Sequence, residues 1–311
     1  MAETLQVLTG VVAALFAVLN TLFWAVPVYI MTFVRVVLPA ARVRAACDRA
    51  LTALAENWIA SNSRAMGLLH GTQWRLTGFD GLDPRASYLV NSNHQSWTDI
   101  LVLQRVFNRR IPFLRFFIKQ QLFWVPVLGI AWWALHFPFM KRYSPATLER
   151  HPELRGKDLE TTRRVCARLR GVPVSILNFL EGTRYTPEKH AAQQSPYRHL
   201  LRPKAGGFAF VLASIGDQLK AMLDVTIVYP QGRPTFWNFL CGRIPLIVVH
   251  VEEKEIPVEA LTASYTDDER FRARFQAWVR DMWAQKDALI DELLAEGTAG
   301  AIEEQRIAAR G

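Results

Sequence analysis

The longest uncharged stretch, Leu5–Val34, constrains the fold most, because 30 residues pass without a single charged side chain. As one helix it would be roughly 45 Å long at 1.5 Å per residue, which exceeds the hydrocarbon core of a bilayer. Pro27 predicts a break in this helix. Two arrangements fit such a break: a spanning helix over about Leu5–Ala25 followed by a shorter interfacial helix, or a two-helix hairpin that enters one leaflet and returns.

The flanking residues favour a membrane location over two alternatives. A helix buried inside a soluble protein is rarely so long and so uniformly apolar. A cleaved signal peptide would need a positive region before the apolar core and a small-residue cleavage site after it. The positive-inside tendency places the side after the apolar stretch in the cytoplasm, because arginines follow at Arg35, Arg42, Arg44 and Arg49.

Charge and composition limit the classes of binding partner that the protein is expected to have. Half of the residues are hydrophobic, and the formal net charge is +9. Residues 252–311 are acidic, with 14 acidic and 8 basic side chains, so residues 1–251 carry a net +15. Positive charge beside apolar surface favours an anionic membrane and anionic lipid-like substrates. We expect no nucleic-acid partner, because no basic run alternates with aromatic residues. The three scattered cysteines favour a reducing compartment.

The stretch Asn91–Asp99 carries the first candidate chemistry, because it forms a polar segment between two short apolar runs. The run before it, Ser87–Val90, predicts a buried strand, and the run after it predicts a helix. Ser96 and Asp99 have the spacing of a capping box, with Asp in place of the usual Glu or Gln. This assignment puts His94 just before the helix and Asp99 in its first turn.

His94 and Asp99 could form a base and the group that orients it. Residues five apart point about 140° away from each other on a continuous helix, so the two side chains can meet only where the chain bends. A carboxylate that fixes the tautomer of a histidine prepares the ring to act as a general base. No nucleophile adjoins the pair, so the base would activate a hydroxyl that a substrate brings. The alternative is a solvated or helix-capping pair.

A second polar stretch, Leu180–Arg184, follows the apolar run Val172–Phe179, which also predicts a buried strand. Ligands of α/β sheets bind beyond the carboxyl ends of the strands, so this stretch is a second candidate. Gly182 would let the backbone approach a ligand closely, and Arg184 offers a planar fork for a phosphate. Glu181 could hold Arg184 or accept a substrate hydroxyl. The alternative is a surface turn.

The rest of the pattern alternates between helices and strands. The uncharged run Gln120–Met140 is long enough to span a membrane, but its two prolines favour a helix, a turn and a short strand. Lys204 precedes a glycine-rich turn that opens a helix, which suits an anion. Further strands are predicted over Gln73–Gly78, Ala221–Tyr229 and Ile244–Val251, and helices over Ala40–Leu69, Ser144–Arg170, Phe208–Ile215 and Thr266–Arg310.

Four of these stretches together resemble the glycerolipid acyltransferase family, and most of all its bacterial 1-acylglycerol-3-phosphate acyltransferase branch. Asn93–Asp99 matches the first sequence block of that family, and Lys119–Arg142 is similar to the second. Phe179–Arg184 resembles the third block, and Val225–Pro230 resembles the fourth in a degenerate form. The blocks occur in the family's order. The long N-terminal segment and the C-terminal part depart from the pattern, which leaves the acceptor less defined than the reaction.

The resemblance implies an α/β fold, a mixed β-sheet flanked by helices, with an N-terminal hydrophobic helical membrane motif. His94 would deprotonate an acceptor hydroxyl, and Asp99 would orient His94. The alkoxide would attack the thioester of acyl-CoA or acyl-carrier protein without an acyl-enzyme, and neither a metal nor a cofactor is implied. The residues expected to bind substrate are Lys119, Arg142, Glu181, Gly182, Thr183, Arg184 and Lys204.

The expected function is therefore acylation of 1-acylglycerol-3-phosphate (lysophosphatidic acid) to phosphatidic acid at a bacterial inner membrane, with the catalytic domain facing the cytoplasm. We expect a membrane-associated helical segment over residues 1–69, a catalytic domain over 70–257 and a helical extension over 258–311. One alternative keeps the chemistry but uses another lysophospholipid or lipid acceptor. Another alternative is a membrane-anchored binding or scaffold protein with an inactive site.

Overall fold

The computed structural model describes residues 2–140, 150, 170–262, 265 and 267–308. The candidate Arg142 and nearly all of the helix predicted over Ser144–Arg170 lie outside these residues. Eight strands are formed in the described part of the chain: β1 (Gln73–Thr77), β2 (Ser87–Ser92), β3 (Leu114–Phe116), β4 (Ile118–Lys119), β5 (Phe139–Met140), β6 (Ser175–Phe179), β7 (Leu219–Val228) and β8 (Leu246–Lys254).

Six of the strands form one mixed sheet in the order β1-β8-β7-β2-β6-β3. Neighbouring strands are parallel except for β7 and β8, which are antiparallel. All six residues of β2 are buried, which is typical of a central parallel strand covered on both faces. The five strands predicted from apolar runs are all present, with ends that shift by a few residues. β4 and β5 form a separate two-stranded ladder.

The helices cover both faces of the sheet, and they are numbered here in chain order. They are α1 (Ala2–Val37), α2 (Ala41–Leu69), α3 (Thr98–Phe107), α4 (Leu128–Ala134), α5 (Pro187–Gln193), α6 (Ala205–Ile215), α7 (Phe236–Leu240), α8 (Glu259–Thr262) and α9 (Glu269–Ala308). The run after Lys119 forms a 3-10 turn over Gln120–Trp124, then α4, then β5, as its prolines and glycine predicted.

Two apolar clusters lie on opposite faces of the sheet. On one face, Leu89 and Ile176 pack with α6 and with α9, whose Trp283 is fully buried. On the other face, Val90 and Leu177 pack with α3. The C-terminal helix is therefore part of the core that supports the central strands.

The predicted break at Pro27 is wrong, because α1 continues through it to Val37. The chain turns after Val37, and α2 returns antiparallel to α1. A proline inside a helix removes one backbone hydrogen bond. Side chains of α2 hold α1 on both sides of that gap, through Asn20–Asn62 at 2.9 Å and Arg35–Asp48 at 2.8 Å.

The outer face of α1 is apolar and exposed. Phe23 and Phe33 are about two-thirds exposed, at 67% and 68%. Glu3–Val37 is long and apolar enough to cross a membrane, and only 17% of its most apolar window is buried within the protein. An apolar surface of this size needs a cover other than water, which indicates membrane association.

Candidate active site

The polar stretches follow three adjacent parallel strands, β6, β2 and β7. Asn91 of β2 is opposite Asn178 of β6 and Asp224 of β7, so the three strands end at the same edge of the sheet. The three following loops, Asn93–Trp97, Leu180–Tyr185 and Tyr229–Pro234, therefore meet beyond this edge. This is the position at which open α/β sheets bind ligands.

After the carboxyl end of β2, the chain bends before α3 and brings the His94 side chain to Asp99. His94 Nδ1 lies 2.9 Å from Asp99 Oδ2. The imidazole also stacks on the ring of Phe179 with a centroid distance of 3.9 Å. The Asp99 side chain is fully buried, whereas 11% of the His94 side chain is exposed. The ring is held on one side and open on a small part of its surface.

Four donors converge on the Asp99 carboxylate. Oδ2 accepts from His94 Nδ1 and from the backbone N–H groups of Gln95 and Ser96, at 2.6 and 2.8 Å for the latter two. Oδ1 accepts from the Tyr229 hydroxyl at 2.6 Å. Burial, together with the nearby Asp99 charge, raises the pKa of Tyr229 well above its usual value, so the phenol remains a proton donor.

Only half of the predicted capping box is formed. Asp99 accepts from the Ser96 N–H, which is the reciprocal bond of that motif. The Ser96 hydroxyl instead donates to the Pro234 carbonyl at 2.7 Å and accepts from the Thr98 N–H at 3.2 Å. The serine therefore ties the loop after β7 to the start of α3.

The hydrogen-bond pattern assigns the tautomer of His94. A carboxylate can only accept, so the proton of the neutral ring lies on Nδ1 and the lone pair on Nε2. A neutral imidazole in this state can take a proton through Nε2 and return it in a later step. An ionised carboxylate in this position would stabilise an imidazolium between two such steps.

Glu181, expected to contact the acceptor, lies fully buried beneath the loop that carries His94. Its two oxygens accept from backbone N–H groups, from His94 at 2.9 Å and from Leu201 at 3.3 Å. Neither oxygen pairs with Arg184. Burial raises the pKa of Glu181 to about 8, although the two backbone donors oppose this shift. Its observed contacts position the His94 backbone.

The other candidates of the third block lie around the same loops. Gly182 has a positive φ of 67°, and a side chain there would have its Cβ 3.0 Å from Lys204 Cδ. Glycine thus lets the Lys204 side chain lie against this turn. Thr183 accepts from Lys189 Nζ at 2.8 Å. The Arg184 guanidinium lies over the Trp97 ring, 4.5 Å from its centroid.

Lys119 is less closely connected to this group. It is exposed at the end of β4, in the separate two-stranded ladder. Within the described part of the chain, no hydrogen bond or ion pair joins it to the three strand-end loops. The structure therefore joins His94 to Asp99 and to the third block through hydrogen bonds, and among the described residues no such bond links Lys119 to them.

Several residues that the sequence did not single out support the site. Phe179 stacks on His94, and Tyr229 bonds Asp99. Asn93 exchanges two hydrogen bonds of 2.9 Å with the backbone of Ile227. Phe179, Asn93 and Tyr229 all lie in the four stretches that resemble the family's sequence blocks. Membership in those stretches is the sequence feature that could have identified them.

Lys286 had no such signal, because it lies in the C-terminal helix outside the blocks. Its fully buried Nζ is 2.9 Å from Asp224 Oδ1 and donates to the Val225 carbonyl at 2.7 Å. Burial lowers its pKa, and the Asp224 charge opposes this shift. The bonds join α9 to β7, the strand that leads to Tyr229.

Comparison with known proteins agrees with this geometry. Residues 74–230, about half of the chain, match the family described as Acyltransferase, so the chain belongs to that family. It is 28% identical over 294 residues to lysocardiolipin acyltransferase 1 of Danio rerio, covering 89% of this chain and 69% of that protein. It is 23% identical over 226 residues to 1-acyl-sn-glycerol-3-phosphate acyltransferase epsilon of Mus musculus, covering 65% of this chain and 56% of that protein.

Other relatives match only part of their length. Against 1-acyl-sn-glycerol-3-phosphate acyltransferase 2 of Brassica oleracea, identity is 27% over 205 residues, covering 61% of this chain and 46% of that protein. The fold is shared with the crystal structure of the 1-acyl-sn-glycerophosphate (LPA) acyltransferase PlsC from Thermotoga maritima. That likeness has a TM-score of 0.53 at 15% identity and covers 91% of this chain and 98% of the other. The chain is thus an acyltransferase of the family that includes lysophosphatidic acid and lysocardiolipin acyltransferases.

Proposed function

We propose that this protein transfers a fatty acyl group from acyl-CoA or acyl-carrier protein to the free hydroxyl of 1-acylglycerol-3-phosphate, giving phosphatidic acid. The observation that carries the proposal is the buried His94–Asp99 pair, with His94 Nδ1 2.9 Å from a carboxylate that accepts from three further donors. An inactive scaffold would have no need for a histidine held in one tautomer.

In the proposed reaction, the acceptor hydroxyl loses its proton to His94 Nε2 as its oxygen attacks the thioester carbonyl carbon. The new C–O bond gives a tetrahedral intermediate, and the C–S bond then breaks. The proton on Nε2 passes to the departing thiolate. Asp99 stabilises the transient imidazolium, and Tyr229 and the two backbone amides keep Asp99 in place.

The acceptor phosphate is assigned to Arg184, with Lys119, Thr183 and Lys204 as further candidates. Arg184 supports this role best, because its guanidinium lies over the ring of Trp97, a residue that is 54% exposed. Stacking uses the face of the guanidinium and leaves its edge N–H donors directed sideways, where a phosphate can accept two of them. Lys119 would contact an acceptor that extends toward the β4–β5 ladder, because it is exposed at the end of β4.

A second acceptor has specific support. The similarity to lysocardiolipin acyltransferase 1 of Danio rerio extends over 89% of the chain, further than the similarity to the two 1-acyl-sn-glycerol-3-phosphate acyltransferases described above. A lysocardiolipin presents the same chemical group, a free glycerol hydroxyl near a phosphate. The reaction at His94 would be unchanged, and only the contacts to the headgroup would differ.

The exposed apolar face of α1 supports a location at a membrane. Acceptor and product are lipids, so α1 would hold the site close to both. We further propose a bacterial inner membrane with the site on its cytoplasmic side, on the basis of the arginines that follow the apolar stretch.

A panel of substrates tests the proposal. Purified protein in phospholipid vesicles is incubated with an acyl-CoA or an acyl-carrier protein donor and with lysophosphatidic acid, lysocardiolipin or other lysophospholipids. Mass spectrometry identifies the products. Formation of phosphatidic acid at the highest kcat/KM supports the proposed acceptor. A higher kcat/KM with lysocardiolipin would assign the second acceptor, and no acylated lipid with any pair would contradict acyl transfer.

A further inference from the structure

A second stacked arginine, Arg233, lies beside the loop that holds the catalytic pair. Its guanidinium lies over the Tyr185 ring, 3.6 Å from the centroid. The backbone N–H of Tyr185 donates to the His94 carbonyl at 2.8 Å. A single residue, Tyr185, thus separates Arg233 from the His94 backbone, and Arg184 precedes Tyr185 in the chain.

The loop that carries Arg233 is fixed to the catalytic motif at both ends. Tyr229 bonds Asp99 at 2.6 Å before Arg233, and Pro234 accepts from the Ser96 hydroxyl at 2.7 Å immediately after it. The Gly232 N–H closes a turn on the Tyr229 carbonyl at 2.9 Å, and its φ of 101° is one that glycine adopts readily. The backbone on both sides of Arg233 is therefore tied to Asp99, the partner of His94, and to Ser96.

The charge on Arg233 is not neutralised within the described residues. There, neither Arg233 nor Arg184 forms an ion pair with a carboxylate. Elsewhere in the protein, Arg35 and Arg198 pair with Asp48 and Asp291 at 2.8 and 3.0 Å. Arg233 is exposed, and its stacked face leaves the edge donors for another acceptor. A guanidinium presented in this way suits a phosphate.

We propose that Arg233 is a specificity-determining residue that binds a second phosphate, separate from the acceptor phosphate assigned to Arg184. The proposal rests on the acyl transfer proposed above. A phosphate could come from either substrate. The phosphopantetheine arm of the donor brings one, because its thioester must reach the acceptor hydroxyl at His94. An acceptor with two phosphates brings another.

Kinetics of the full-length protein in vesicles separate these sources. Arg233→Ala and Arg233→Lys are compared with wild type, and Arg110→Ala is the matched control. Arg110 is exposed and stacks on Phe79 at 5.0 Å, remote from the strand-end loops, so its loss removes the same kind of contact. Donors are acyl-CoA and an acyl-N-acetylcysteamine thioester, which has no phosphate. Acceptors are lysophosphatidic acid, with one phosphate, and lysocardiolipin, with two.

Arg233→Ala should raise the KM of the substrate that supplies the phosphate by about tenfold or more and change kcat little, since a charge-assisted hydrogen bond is lost. A donor phosphate predicts a higher KM for acyl-CoA and an unchanged KM for the phosphate-free thioester. An acceptor phosphate predicts a higher KM for lysocardiolipin alone. Arg233→Lys should recover part of the loss, and Arg110→Ala should match wild type.

Two results would overturn the inference: unchanged KM values in Arg233→Ala, or equal increases for substrates with and without the phosphate. Both results are meaningful only if the wild-type protein catalyses acyl transfer in the same assay. Absence of turnover in wild type would instead contradict the proposed function itself, so the two failures are distinguishable.

Discussion

The His94–Asp99 pair and the arginines near it differ in how many of their polar atoms already have a hydrogen-bond or ion-pair partner. Asp99 is fully buried and accepts from four donors, and Glu181 beneath it accepts from two backbone amides. Arg184 and Arg233 are held by ring stacking and form no ion pair among the described residues. Under the proposed function, the first region would be complete before substrate arrives, and substrate would complete the second.

Under the proposed function, this difference indicates that proton transfer and headgroup recognition are carried out by different residues. A group that moves a proton must be oriented before the reaction, and preorganised contacts provide that orientation. A group that recognises a charged headgroup needs unused donors. Changes in the buried region should therefore alter kcat, and changes in the arginines should alter KM.

The largest effect is expected for Asp99→Asn. An amide would present an N–H group to at least one of the donors that Asp99 now accepts from, and it would not stabilise the imidazolium. We expect kcat to fall by about 10² to 10⁴-fold, the usual range for general acid–base catalysis. Steady-state turnover with saturating substrates measures it. Asp217→Asn, which lies before β7 at the opposite edge of the sheet, is the control. A rise in KM with an unchanged kcat in Asp99→Asn would contradict the separation between proton transfer and headgroup recognition.

A smaller effect is expected for Arg184→Ala. Loss of the guanidinium should raise the KM of the acceptor by about tenfold or more, because a charge-assisted contact to phosphate is removed. The kcat value and the donor KM should change little. If only the dependence on acyl donor changed, Arg184 would belong to the donor side, and its assignment to the acceptor phosphate would be wrong.

The last effect is expected in stability and not in turnover, and it involves Glu181. Its pKa is about 8 in the folded protein, against an ordinary value of 4.5. The folded state therefore keeps a proton that the unfolded state loses, so the free energy of unfolding should fall as pH rises from 4.5 to 8. The contribution is at most about 1.4 kcal/mol per pH unit.

Urea unfolding in detergent, at several pH values, measures this slope for wild type and for Glu181→Gln. The difference in unfolding free energy between the two should decrease as pH rises. A difference that does not decrease between pH 4.5 and 8 would show that the pKa of Glu181 is not raised in the folded protein, and that its two backbone donors at least offset burial.

The sequence predicted the elements that rest on local patterns. The runs before Asn91 and Leu180 are apolar and short, so they read as strands, and both deliver their polar loops to one edge of the sheet. β3 was missed because Leu114–Phe116 is too short to give a pattern. The break at Pro27 was wrong because local propensity takes no account of the contacts between α1 and α2.

The long-range partners of the site could not be read from local patterns. The Tyr229 hydroxyl reaches Asp99 across 130 residues of sequence, and Lys286 reaches β7 from the C-terminal helix across about 60. Such pairs depend on the order of strands in the sheet. For Glu181, the sequence predicted correctly that the residue belongs to the strand-end loop. It could not predict that the carboxylate accepts from the backbone N–H groups of His94 and Leu201, because those contacts form only in the folded chain.

The central claim is that His94 removes the proton from the acceptor hydroxyl. Acyl transfer by His94→Ala, measured beside vesicle association of the same variant, tests it most directly. We predict that turnover falls by at least about 10²-fold while association, which depends on α1, is unchanged. Turnover close to that of wild type would contradict the assignment of His94 as the base.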